Sequence, residues 1–275
     1  LSQQGYQLLN EDMFEEARER FEEILHEDPE NNYALVGLGD LERRRGHYQD
    51  AIDFYRRCLD IYPDNNYALF GLAESYREIR QYNRAVQYWE RYLAYDDENV
   101  TVLTRVADTY RKARNFQRSK ELYEKVLEIE SDNAYAIIGL GHLHYDFKDF
   151  RTAKSYWERM HETSGPDVDI RVLTSLGNCH RKLKTYQQGI PYFEEALGRD
   201  PRNFYALYGI ADCYRGLYKP DKSLEYWLRL VESDSSNKVI LTRAGDAYRN
   251  LNELETAEEY YHRALNIAFD PYAIL

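Results

Sequence analysis

The sequence predicts an all-α protein, an α-solenoid of stacked antiparallel helix pairs, and three observations predict it. A small residue returns every 34 positions, at Ala17, Ala51, Ala85, Ser119, Ala153, Gly189, Ser223 and Ala257, with one interval stretched to 36. An Asn or Asp punctuates the chain with the same period, at Asn31, Asn65, Asn99, Asn133, Asp169, Asn203 and Asn237. Each period also carries two apolar stripes at helical spacing, parted by a polar or glycine-containing turn. A unit this short cannot bury its own apolar face. It is stabilised by stacking on copies of itself, which leaves one long open surface in place of a closed cleft.

Within a repeat, the first helix opens at the Asn or Asp, whose side chain accepts a hydrogen bond from a free N–H of the first turn. Its stripe is typified by Leu69, Leu72, Ala73 and Tyr76. It ends near Gly46, Arg80-Gln81, Asn115, Lys148-Asp149, Lys184-Thr185, Lys219-Pro220 or Asn252. A second helix follows with its own stripe, such as Ala85, Val86, Trp89 and Leu93, and Pro220 suits the first turn of one, where a missing N–H costs nothing. Repeat boundaries therefore fall near 31, 65, 99, 133, 169, 203 and 237. One array of about eight repeats is expected over residues 1–275, with the first truncated at its start and a ninth beginning after 270, near Pro271, Tyr272 and Leu275. The stretched interval contains the longer Thr163-Ser164-Gly165-Pro166 connection.

Composition fits an ordered chain, with 43% hydrophobic and 31% charged residues and only 7 prolines. No apolar run approaches the roughly 20 residues needed to cross a bilayer, so no membrane insertion is expected. The acidic first twenty residues lack the basic start and apolar centre of a signal peptide. Because the chain begins with Leu1, an upstream segment is expected to have been removed. The compartment stays open, with the cytoplasm favoured over a periplasmic or otherwise exported location.

These residues resemble the tetratricopeptide repeat. Its Leu-Gly pair is matched by Leu38-Gly39, Leu140-Gly141 and Leu176-Gly177, with Leu72-Ala73, Val106-Ala107, Ile210-Ala211 and Ala244-Gly245 as variants. Its tyrosine is present as Tyr76, Tyr110, Tyr214 and Tyr248. Its later aromatic position is filled by Phe21, Tyr55, Trp89, Tyr123, Trp157, Phe193, Trp227 and Tyr261, and Pro29, Pro63 and Pro201 end repeats. The resemblance covers essentially the whole chain. It implies a right-handed superhelix and a role in recognition, without naming a partner. Glu42, His144 and His180 depart from it by standing where the tyrosine is expected. A superperiod of two repeats is also visible: Tyr88-Trp89, Tyr156-Trp157 and Tyr226-Trp227 each precede a helix with Val-Leu-Thr or Ile-Leu-Thr, whereas the intervening helices begin Tyr-Ala-Leu or Tyr-Ala-Ile.

The resemblance implies that the first helices line a concave face. Offsets of 0, 3, 7 and 10 share one helical face. They give Tyr33, Val36, Asp40, Arg43; Tyr67, Phe70, Glu74, Arg77; Thr101, Thr104, Asp108, Arg111; and Tyr135, Ile138, His142, Tyr145. The last three sets are Arg171, Thr174, Asn178, Arg181; Tyr205, Tyr208, Asp212, Arg215; and Val239, Thr242, Asp246, Arg249. Arginine ends six of the seven sets, five times with an acid three residues earlier. Each pair either supports its own helix, by about 0.2–0.5 kcal/mol, or releases its arginine to the carboxylates of a peptide, which is cheap for an exposed pair. The fourth set lacks the pair, and Tyr135, Ile138, His142 and Tyr145 are the expected hot spot. The expected peptide-binding residues are Tyr33, Tyr67, Phe70, Arg77, Arg111, these four, Arg181, Tyr205, Tyr208, Arg215 and Arg249.

A net charge of −12 argues against nucleic acid, which demands a broad basic surface. Catalytic chemistry finds little support. Cys58, Cys179 and Cys213 stand at interior repeat positions, no CxxC or HExxH spacing is present, and His142 and His144 are two apart and so face different directions. No cofactor and no metal are expected. The expected function is that of a non-catalytic scaffold binding a peptide or protein segment in its concave groove. The alternatives are the recruiting region of a larger enzyme and a scaffold that self-assembles through its array ends.

Overall fold

The computed structural model describes residues 2–267, which form sixteen α-helices, one 3-10 helix and no strand. The expected ninth repeat near Pro271, Tyr272 and Leu275 lies outside the described residues. The chain divides after Gly139 into two compact units. The first contains α1 (Ser2–Asn10), α2 (Phe14–Glu27), α3 (Asn32–Arg44), α4 (Tyr48–Ile61), α5 (Asn66–Glu78), α6 (Tyr82–Leu93), α7 (Val100–Lys112) and α8 (Phe116–Ile129). Helix α9 (Ala134–Asp146) carries the division. The second contains α10 (Phe150–Ser164), α11 (Ile170–Lys182), α12 (Tyr186–Arg199), α13 (Phe204–Gly216), α14 (Pro220–Ser233), α15 (Lys238–Asn250) and α16 (Leu254–Ile267). Within each unit, consecutive helices pack on one another, as an α-solenoid requires. No described helix is long and apolar enough to cross a membrane.

All seven predicted N-caps form. Asn31, Asn65, Asn99, Asn133 and Asn203 accept from the N–H three residues on, at 2.9–3.2 Å. Asp169 accepts from Arg171, and Asn237 from Val239 and Ile240. Every pair then turns through one residue with positive φ, at Asp12, Gly46, Arg80, Arg114, Lys148, Lys184, Tyr218 and Asn252. The following N–H reaches back five residues to the helix just ended, as from His47 to the Glu42 carbonyl and from Gln81 to Tyr76. Only Gly46 is spared the cost that a side chain adds there. The stretched interval folds as a 3-10 helix, Gly165–Asp167, which delivers the buried Val168 to the core.

Glycine and aromatic side chains set the spacing of the stack. A Cβ on Gly5 or Gly37 would meet the Phe21 ring at 2.7 or 2.4 Å, and one on Gly39 or Gly71 would meet Tyr55 at 2.5 or 2.2 Å. In the second unit, Phe193 lies in the same way between Gly177 and Gly209. Each of these three rings is thus wedged between two first helices, and the missing side chains make room. Where the wedge is Trp89, Trp157 or Trp227, the next first helix has Arg105, Ser175 or Arg243 in place of glycine. The indoles turn their faces to other rings: Trp89 meets Phe70, Trp157 meets His142, and Trp227 meets Tyr208, all near 5 Å and edge-on.

The Trp227 indole N–H donates to Ser223 Oγ at 2.9 Å, and that hydroxyl donates to the Ala211 carbonyl. At Trp89 the equivalent small residue is Ala85, and the buried indole N–H has no acceptor among the described residues. Ala85→Ser is therefore expected to supply one and to raise stability by about 0.5–1.5 kcal/mol in urea denaturation. A fall would show that the site has no room for the oxygen.

The departures from the tyrosine pattern have physical reasons. Tyr76 stacks on Tyr88, and Tyr214 on Tyr226. His180 stacks on Tyr192 and His144 lies against Tyr156 in the same manner, so imidazole keeps the ring contact. Glu42 does something else: it is 2% exposed and held by Arg18 and by His47 Nδ1. The three thiols are buried and free, and burial pushes Cys58 up to about 11 and Cys179 and Cys213 up to about 12.

Candidate functional site

In the first unit, α1, α3 and the start of α5 line a groove of about 1170 Å³. Helix α1 lends Gln3, Tyr6, Gln7 and Asn10; α3 lends Asn32, Tyr33, Val36 and Asp40; Asn66 and Tyr67 come from α5. Tyr33 and Tyr67 follow their N-caps by two residues, which aims them away from the apolar stripe, and they are 60% and 71% exposed. Tyr6 is half-buried and donates to the Tyr33 carbonyl at 3.2 Å. Burial and, next, the Asp40 carboxylate raise its phenol above the ordinary value. Among the described residues lining this groove, Glu11 and Asp40 carry negative charge and none carries positive charge.

The sequence places Tyr33, Tyr67, Val36 and Asp40 on this face, and the structure brings them together. It also adds residues of α1 that the sequence reading left out. The signal was present: carrying the register back 34 places from Val36 and Asp40 gives Ser2 and Tyr6, both of which line the groove.

Further along the first unit, Phe70 packs edge-on against Trp89 and Tyr92, so it is part of the core as much as of the face. Tyr135 is 80% exposed and Ile138 half-buried. In the second unit, His142 packs on Trp157, and Tyr145 on Phe150 and Trp157. Of the four expected hot-spot residues, Tyr135 is the one that projects, while His142 and Tyr145 have rings committed to Trp157. Tyr205 is 68% exposed, and Tyr208 leans on Phe204 and Trp227.

Every acid of the ladder pairs with the arginine three residues on: Asp40 with Arg43, Glu74 with Arg77, Asp108 with Arg111, Asp212 with Arg215, and Asp246 with Arg249. Two acids also reach a neighbouring repeat. Glu74 takes Arg105 at 2.8 Å, and Asp212 takes Arg181 at 2.8 Å. Low-cost release, expected for exposed pairs, does not hold at these two, because the side chains of Glu74 and Asp212 are 4% and 11% exposed. Removing a cation from a buried carboxylate leaves an uncompensated charge. Arg249, 59% exposed and 3.7 Å from Asp246, is the member most easily withdrawn.

Burial disfavours the charged form of Asp212, but hydrogen bonds from Arg181 and Arg215 outweigh it, and the carboxyl lies below the ordinary range. Its stabilising effect is complete above the unfolded value of about 3.9 and is lost as pH falls through the lower folded value. Asp212→Asn should lower stability at neutral pH by about 1–3 kcal/mol and flatten the decline in acid. An unchanged acid profile would contradict this assignment.

One group among the described residues has metal-ligand spacing: Glu42, His47 and Asp50. Its buried member, Glu42, already pairs with the Arg18 guanidinium through one carboxylate oxygen and meets His47 Nδ1 through the other.

Three family models described as tetratricopeptide repeat match the chain: one at residues 3–66 and 175–238, one at 42–104, and one at 100–133 and 240–271. No curated protein matches it in sequence. Among solved structures, a tetratricopeptide repeat protein from Parabacteroides merdae is similar at a TM-score of 0.65 and 14% identity, covering 96% of both chains. YrrB, described as a tetratricopeptide repeat protein with an unusual peptide-binding site, is similar at 0.56 and 21% identity, over 67% of this chain and 94% of its own. MamA is similar at 0.54 and 19% identity, over 59% of this chain and 94% of its own. At these identities the likeness is one of fold.

Proposed function

Because the chain belongs to the tetratricopeptide repeat family, we propose that it is a non-catalytic scaffold whose first helices hold a peptide or protein segment. The observation that carries this reading is the recurrence of an exposed tyrosine, at Tyr33, Tyr67 and Tyr135 in the first unit and at Tyr205 in the second. Each occupies the same place in its repeat, and each is 60–80% exposed. A large ring left in water at four equivalent positions gains by being covered, and tyrosine covers much area at little entropic cost. The groove of the first unit exceeds the roughly 300–1,000 Å³ of a typical small-molecule site, which suits a stretch of polypeptide. In the second unit, Arg249 and Arg215, the more exposed arginines of the ladder, are the candidates for direct contact with a segment.

Panning a library of displayed random peptides against the chain tests the proposal. Peptides selected by the wild type should be lost when Tyr33, Tyr67, Tyr135 and Tyr205 are all changed to alanine, with helicity unchanged by circular dichroism. Equal retention by this variant would move binding off the first helices and refute the reading.

A further inference from the structure

We propose that the groove of the first unit selects peptide segments that carry lysine or arginine, an inference that rests on the scaffold reading above and names the chemistry of its partner. The residues that could contact a ligand here fall into three classes. Tyr33 and Tyr67 present exposed ring faces, to which a cation is attracted. Glu11 and Asp40 supply the only formal charges among the described lining residues, both negative. Gln3, Gln7, Asn10, Asn32 and Asn66 supply side-chain amides, each able to donate to a peptide carbonyl and to accept from a peptide N–H.

The amides replace the water that a peptide backbone loses on entering, whatever its sequence, so they give affinity without selection. Selection falls to the rings and the carboxylates, and both favour a positive side chain. Burial is the first cause of the raised Tyr6 phenol, and Asp40 adds to it with the same sign. The ladder does not reverse that sign here. Arg43, the arginine of this repeat, donates to Asp40 and to the Tyr55 hydroxyl and is not among the lining residues. Arg43 offsets the charge of Asp40, and Arg44 is engaged by Asn10, so Glu11 is the acid of the described lining without a paired arginine, and a segment bearing carboxylates would meet it as a like charge, which opposes binding.

The test uses fluorescein-labelled Gly-Ser peptides of about a dozen residues, bearing lysine, glutamate or glutamine at the same three places, titrated by anisotropy against the full chain. The lysine peptide should bind about tenfold tighter than the other two, and its preference should shrink as salt rises and screens the carboxylates. Tyr67→Ala and Glu11→Gln should each weaken the lysine peptide several-fold, whereas Glu255→Gln, in the second unit, should leave it unchanged. Equal binding of the three peptides, still sensitive to Tyr67→Ala, would overturn the charge selection and leave the scaffold reading standing. Lysine-peptide binding indifferent to Tyr67→Ala and Glu11→Gln would overturn it as well, reducing the preference to general attraction by a chain of net charge −12. Peptides selected by panning that depend on the tyrosines but are rich in Asp and Glu would overturn this proposal alone. Failure of panning to select any tyrosine-dependent peptide would bring down both.

Discussion

Gly71→Val is expected to destabilise the first unit by about 3 kcal/mol or more, at the upper end of what overpacking costs. A Cβ at this position would stand 2.2 Å from Tyr55 Cζ, and Tyr55 cannot step aside. Its ring is fully buried, and its hydroxyl donates to Asp40 at 2.7 Å and accepts from Arg43. Displacing the ring would therefore break the polar anchor at its tip and separate α3 from α5. Two controls isolate the cause. Gly71→Ala combined with Tyr55→Leu should lose less than the sum of the single changes, because the shortened wedge frees the space. Ser175→Ala, at the equivalent position behind Trp157, should show no steric penalty, since a side chain already stands there. Hydrogen exchange is the decisive readout, because a stacked array opens locally. Amides of α3 to α6 should lose protection while those of α12 to α16 keep theirs; uniform loss would contradict the local origin.

Trp157→Ala is expected to cost about 3–5 kcal/mol and to release two residues that sequence alone marks for binding. Trp157 is 1% exposed, and the rings of His142 and Tyr145 rest on it at 5.2 and 5.7 Å. Without the indole, both rings lose a surface on which they rest. Trp157→Phe should keep part of the stability and part of the order. Side-chain relaxation by NMR would separate the outcomes. Mobile rings in the alanine variant support a positioning role for Trp157, and rings that stay fixed would show that other neighbours orient them.

What could be read from the chain was whatever is local. The seven caps from Asn31 to Asn237 and the seven turns from Gly46 to Asn252 each depend on a few consecutive residues, and these were placed, whereas the turn at Asp12 and the cap at Asn115 were not. The wedge was also written in the chain, as an aromatic with a glycine sixteen residues away: Phe21 with Gly5 and Gly37, Tyr55 with Gly39 and Gly71, Phe193 with Gly177 and Gly209. That spacing has no meaning until helix is known to lie on helix, because it joins a second helix to first helices on either side. The site was less legible for the same reason. Offsets along one helix identified Tyr33 and Tyr67, but the groove needs α1 as a wall. The second partners of Glu74 and Asp212 come from adjacent repeats, so the burial that makes those pairs costly to open could not be seen in a single helical face.

The alternation of wedges has a consequence for how such a chain can change length. Deleting the 34 residues of α5 and α6 would carry Tyr55 to face Arg105, a long side chain where the ring needs none, and adding a copy of them would set Trp89 against a second Gly71 and leave a void. Deleting or copying two repeats together restores each ring to the neighbour shaped for it. From Tyr55 onwards the steric grain is thus twice the sequence period, and gains or losses of single repeats there would be selected against on packing grounds alone, whatever they bind.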